Sequence, residues 1–276
     1  MNKDNTLFAV AFEDKAPCQE LIRIVTGDES LVVIDNKTQY TIRNVENHSV
    51  TLDLIVKDSR GKKYAIELQK KDERNAEKRI RYNNSLYDTL LLDKGVDYCE
   101  LPTVISIFVS KFDVHKTGLP IYHIKMTIEE TGQTYDEGRQ IIFVNSCNDN
   151  GSKIARLMNE FSNKERISSE FTHISERVRS LKEELGGEVI MREKMEALAK
   201  EYAEYVVAEN DIDYVRKMLK KGYPIAEIAE ISPLSLEEIE KMKAKVEKEN
   251  RTKKSRYLKK SLEKVFARYF RKSKKS

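Results

Sequence analysis

Residues 50–69 read Val50-Thr51-Leu52-Asp53-Leu54-Ile55-Val56-Lys57, then Asp58-Ser59-Arg60-Gly61, then Lys62-Lys63-Tyr64-Ala65-Ile66-Glu67-Leu68-Gln69. Two alternating runs flank a short polar segment that ends in glycine, the pattern of a β-hairpin. Side chains alternate faces along a strand. Leu52, Leu54 and Val56 therefore share one face of the first strand, and Thr51, Asp53 and Ile55 the other. In the second strand Tyr64, Ile66 and Leu68 share a face, opposite Ala65, Glu67 and Gln69. The two apolar triplets must lie on the same side to build a core. A three-residue loop with Gly61 in a left-handed bulge meets that requirement, with cross-strand partners whose numbers sum to 120. Asp53 then stands directly opposite Glu67.

That placement carries chemistry. Opposed residues of an antiparallel pair have Cβ atoms about 4.5–5.5 Å apart, and like charges there are destabilising. A hard divalent cation is the natural compensation. Magnesium prefers oxygen ligands and binds through one or two carboxylates plus substrate phosphate. It activates a water and stabilises charge growing on a phosphodiester. Gln69, two residues after Glu67 on the same face, is placed to orient the attacking water or a phosphate oxygen, and Lys71 continues that row. The same alternation also fits a solvated sheet face on which Asp53 and Glu67 pair with Lys or Arg. Ile55 and Ala65 on that face, and the helix that follows, argue for at least partial cover.

Outward from the hairpin, the chain divides into two compositional zones. Residues 1–150 hold the alternating apolar runs of strands, and the zone opens with Phe8, Val10 and Phe12. A helix is expected from Pro17 to about Thr26, stopped by Gly27. Residues 31–35 and 38–45 read as a hairpin around Asn36-Lys37. After the 50–69 hairpin, Asp72 is an N-cap for a helix over about 73–93 that Gly95 ends. Residues 103–109 form a continuous apolar run, as a central strand should. Weaker strands are expected near 121–126 and 140–144. The order helix, three strands, helix, strand makes an α/β layer, with helices covering a mixed sheet.

Residues 151–276 are rich in Glu, Lys, Leu, Ala and Met and read as helices: 154–161, 171–185, 189–207, 214–219, 225–231 and 236–242. A turn is expected at Lys221-Gly222-Tyr223-Pro224, and Ser235 with Glu238 forms a capping box. The expected organisation is residues 1–150, a helical region 151–210, a small helix-turn-helix-like segment 211–248 and a basic tail 249–276. The acidic start of the last short helix (Glu237, Glu238, Glu240) favours packing or a homodimer contact over entry into a DNA groove.

Composition narrows the class. The chain has 276 residues, 35% charged and 39% hydrophobic, and no apolar run near the roughly 20 residues of a spanning helix. Its first residues are polar, unlike a signal peptide, so a cytoplasmic protein with no membrane role is expected. Cys18, Cys99 and Cys147 lie far apart without CxxC spacing, and are expected as buried free thiols. The four histidines are scattered, giving little support to zinc-protease or triad chemistry. Residues 251–276 hold twelve Lys/Arg against the single acid Glu263, a net +11, which leaves −7 of the chain's +4 on residues 1–250. A basic tail on an acidic body adds affinity for nucleic acid, or serves as a solubilising terminus.

An acid on one strand, Glu-x-Gln on the next, then a helix, resembles the PD-(D/E)XK nuclease core. More closely, the chain is similar to the bacterial PD-(D/E)XK transposase family, related to the recombination-promoting nucleases. The similarity rests on Leu7–Phe12 with Glu20-Leu21-Ile22, Leu52-Asp53-Leu54, and Tyr64–Gln69. It continues through Arg79-Ile80-Arg81-Tyr82, Gly95-Val96-Asp97-Tyr98 and Val104–Phe108. It spans about residues 5–145, with a further likeness over 217–243.

The resemblance implies a restriction-endonuclease-like αβββαβ core and an all-helical C-terminal region. It implies a DNA endonuclease that uses Mg2+, with Mn2+ as a substitute, in recombination, mobile-element biology or defence. The alternative is an inactive nuclease fold that serves as a DNA-binding module. By the same resemblance Asp53 and Glu67 are metal ligands, Glu20 is an additional acid near the metal, and Arg79 and Tyr82 face the site and contact phosphate. Gln69 stands where the founding motif has Lys. Glutamine supplies no positive charge, which implies slow turnover or help from Lys70 or Lys71.

Overall fold

The computed structural model describes residues 3–44, 47–69, 75–162, 170–183 and 187–252. The chain forms two compact units: Met1–Ile42 with Ser49–Ala199, and Arg43–His48 with Lys200–Ser276.

The first unit is built on a six-stranded sheet in the order β1-β2-β3-β4-β8-β5. Strands β1 (Val33–Ile42), β2 (Val50–Asp58) and β3 (Lys63–Gln69) pair antiparallel. Strands β3, β4 (Val104–Ser110) and β8 (Arg139–Asn145) are parallel, and β5 (Ile121–Ile124) returns antiparallel at the edge. β6 (Met126–Thr127) and β7 (Thr134–Tyr135) form a separate small hairpin.

Helices cover both faces. α1 (Lys3–Ala11), α2 (Lys15–Thr26), α4 (Lys153–Ser162) and α5 (Thr172–Glu183) belong to one layer. Their Val10, Leu21, Ile22, Leu157 and Ile174 share a core with Leu54, Val56, Ile66 and Ile107 of the sheet. α3 (Ala76–Leu91) covers the opposite face, packing Ile80 on Phe108 and Phe143, and Tyr87 among Ala65 and Val104. This is the mixed, helix-flanked sheet expected from the order helix, three strands, helix, strand.

The β2–β3 hairpin has the expected register. Pairs from Lys57:Lys63 to Leu54:Ile66 sum to 120. Gly61 takes φ +83°, the left-handed value a three-residue hairpin loop requires. Asp58, fully buried at the turn, holds it shut: its Oδ1 accepts the Arg60 and Lys62 N–H groups at 2.9 Å each, and its Oδ2 the Tyr64 hydroxyl at 3.1 Å.

Several expectations are corrected. Phe8, Val10 and Phe12 do not lie on a strand. Residues up to Ala11 are α1, and Phe8 to Phe12 are all buried, so a period of two carries no information there. The end of α1 is tied down by Cys18 and Asn36, both of which donate to the Phe12 carbonyl. That task removes Asn36 from any turn. Asn36-Lys37 also lacks the glycine of a two-residue loop, and residues 33–42 form one continuous strand instead of a hairpin.

α3 starts after Asn75, and the expected cap Asp72 lies outside the described residues. Of the three free thiols only Cys18 is buried, and burial pushes it up to about 12; Cys99 and Cys147 are exposed.

In the second unit, the helices expected over 189–207 and 214–219 are one, α6 (Gly187–Lys221), which reaches this unit from Lys200 onward. It ends in a Schellman motif, with Tyr223 N–H on the Met218 carbonyl and Gly222 N–H on that of Leu219. α7 (Ile225–Ile231) follows as expected, and α8 covers 236–252, longer than the expected 236–242. The Ser235–Glu238 capping box forms, with Ser235 N–H donating to Glu238 Oε2 at 2.8 Å. Ile212, Val215, Ile228, Ile239 and Met242 make this unit's core.

Ile66 lies at the centre of the first unit and is fully buried. The variant Ile66→Ala is expected to lose about 2–5 kcal/mol of stability, read from the midpoint of urea unfolding at constant m-value.

Candidate active site

The β2–β3 ladder stops at Leu54:Ile66, one pair short of Asp53 and Glu67. Asp53 explains the stop. Its side chain turns toward β3, and Oδ2 accepts the Leu68 N–H at 2.8 Å, in place of a backbone carbonyl of its own strand. Its other oxygen, Oδ1, accepts the Gln39 amide at 2.9 Å. The two carboxylates are close enough for Asp53 to push Glu67 toward protonation.

Glu67 is the most constrained residue of the site. It is 5% exposed, between the sheet and α3. The Asn83 amide donates a short hydrogen bond to Oε1. Arg79 Nε lies 3.1 Å from Oε2. Arg79 thus pairs with this buried oxygen as a neighbouring positive charge. Burial raises the Glu67 carboxyl above its ordinary value, Asn83 and Arg79 pull it back, and Asp53 adds to the rise. Arg79 also donates Nη1 to Gln69 Oε1 at 2.7 Å. One guanidinium thus joins the second and third of the expected site residues.

α3 supplies these partners because of its spacing. Arg79 and Asn83 are four residues apart and meet the same patch of sheet. Ile80, Asn83, Asn84 and Tyr87 are its buried residues. Asn84 accepts a 2.6 Å hydrogen bond from Ser106 of β4. An ion pair from Asp88 to Arg139 of β8 pins the next turn.

The structure therefore brings Asp53, Glu67, Gln69 and Arg79 together. Tyr82 instead packs, half-buried, in the apolar cluster around Ile42, Leu52 and Tyr87. Glu20 is not brought to the site. It belongs to α2, in the helix layer on the far side of the sheet, where its Oε2 accepts the Ile174 N–H at 2.8 Å near the start of α5. Lys70 and Lys71 lie outside the described residues.

Gln39, Asn83, Asn84 and Ser106 were missed. The last three leave a trace in the sequence: two asparagines on the apolar stripe of a helix, and a serine inside an apolar strand, each need a partner. Gln39 leaves none.

Two neighbouring carboxylates, one of them buried, suit a hard cation. Among the described residues no three His, Cys, Asp or Glu gather as a metal-holding set, so the candidate oxygen donors are this pair.

The family model for PD-(D/E)XK nuclease family transposases matches residues 7–175, more than half of the chain. The chain belongs to that family. Neither a curated protein nor a solved structure matches it. Membership carries a nuclease or transposase type of function, and the six-stranded mixed sheet with helices on both faces is consistent with that fold. Among the described residues no helix is long and apolar enough to cross a membrane.

The buried charge has a measurable cost. Because the folded carboxyl of Glu67 is raised, ionising it destabilises the fold. The cost is absent below the unfolded value of about 4.3 and grows as pH rises toward the folded one. In metal-free buffer Glu67→Gln is expected to unfold at a higher temperature than wild type at pH 8, the gap closing as pH falls to 4.

Proposed function

We propose that this protein is a metal-dependent DNA endonuclease, cutting phosphodiester bonds in recombination or mobile-element biology, with its active centre at Asp53, Glu67 and Gln69. The observation that carries the reading is the Glu67 carboxylate, buried next to a second acid, Asp53, that pushes it further toward protonation. Asn83 and Arg79 offset part of the cost of that burial, and a cation shared with Asp53 would relieve the rest.

Asp53 and Glu67 would hold magnesium, with manganese as a substitute. When bound, the ion supplies Lewis acidity and an activated water. Gln69 would orient a water or a phosphate oxygen through its amide. Arg79 carries the positive charge that Gln69 lacks. Its guanidinium, already on Gln69 and beside Glu67, is suited to bidentate contact with a phosphate. The net charge of +11 on residues 251–276 adds sequence-independent affinity for DNA.

The test is nicking of supercoiled plasmid with Mg2+, Mn2+ or EDTA. Metal-dependent nicking is expected in the wild type, absent from Asp53→Ala and Glu67→Ala. Arg79→Ala should slow it roughly 10²-fold, the loss typical of one donor to a developing charge. DNA binding without cutting under any metal, unchanged in the carboxylate variants, would replace this reading with that of a binding module.

A further inference from the structure

Gln39 stands in the interior of β1, yet takes φ +51°, a left-handed value that L-residues avoid. The pairing of β1 with β2 is otherwise regular around it. Partners from Asp35:Lys57 to Ile42:Val50 sum to 92, and the one position missing from that run is Gln39, whose partner would be Asp53. At the same position the Gln39 amide donates to Asp53 Oδ1 at 2.9 Å. Strain of this kind persists only where the surrounding structure over-determines it, and it gathers at functional sites.

We propose, on the basis of the metal-site reading above, that Gln39 is a positioning residue, which holds the Asp53 carboxylate in the orientation that receives the cation. With Oδ1 on the Gln39 amide and Oδ2 on the Leu68 N–H, the carboxylate plane is set from both sides. The choice of an amide is chemically apt. A lysine or arginine in its place would orient the carboxylate equally well but would compete with the cation for its charge. A neutral N–H donor fixes the group and leaves the charge in place. Glu67 is treated in the same way by Asn83, so each of the two acids is held by an amide from a neighbouring element.

The experiment measures Mn2+ affinity of the full chain by electron paramagnetic resonance, beside thermal unfolding, for wild type, Gln39→Ala, Gln39→Gly and Asp53→Ala. Both Gln39 variants are expected to bind Mn2+ about 10–100-fold more weakly, the usual effect of removing a partner that orients a metal ligand. Gln39→Gly is expected to unfold at a higher temperature than Gln39→Ala, since glycine accepts a positive φ without strain. Loss of affinity in both, together with that difference in stability, separates positioning from structural support. The proposal is overturned if affinity follows stability, with Gln39→Gly binding like wild type. It is also overturned if both variants bind like wild type while Asp53→Ala does not, which leaves the metal site standing. A wild type that binds no Mn2+ overturns the metal site and this inference together.

Discussion

A carboxylate at the sheet–helix boundary is costly unless its surroundings hold it, and Glu67 is held on three sides. Asn83 donates to one oxygen, Arg79 lies beside the other, and the face is closed by the packing of Ile80 and Tyr87. Much of the first unit's architecture serves that arrangement. α3 has to cross this face of β3, β4 and β8, and it is pinned there by apolar contacts and two polar ties. The ties are Asn84 to Ser106 and Asp88 to Arg139. Removing any one would leave a polar group stranded at the interface, where desolvation is not repaid.

The two acids are built differently. Asp53 sits where an antiparallel ladder ends, and its side chain takes over a backbone acceptor's task. Glu67 also lies beyond the end of that ladder, but its strand stays paired on the other side, where Glu67 is opposite Phe108 of β4. Asp53 is therefore held within the sheet, by the Leu68 N–H and the Gln39 amide, and Glu67 by a helix. The site stands at the place where β2 parts from β3.

Family membership and geometry meet at this point. The matched region, residues 7–175, contains the sheet, α2, α3 and α4, together with the end of α1 and the start of α5. Glu20, in α2, serves the start of α5 and not the site. The second unit is a small helical body with its own core of Ile212, Val215, Ile228, Ile239 and Met242. Its closing helix begins with acidic residues, among them Glu237 paired with Lys241.

The register of the β2–β3 hairpin was determined by sequence alone, because a period of two, a glycine able to adopt positive φ and two apolar triplets leave one solution. The buried strand β4 and the short helix α7 were legible for similar local reasons. α1 was not, since residues 8–12 are all buried and leave no period to read. Nor was the continuity of β1: the role of Asn36 lies with Phe12 and Glu13, more than twenty residues away. The identity of the acids followed from alternation, but what holds them did not. Gln39, Asn83 and Arg79 reach Asp53, Glu67 and Gln69 from other elements, and Glu20 faces away from them, because those relations depend on which face of the sheet each element covers. Local sequence determines which way a side chain points from its own strand or helix; only the packing of the layers decides what it meets.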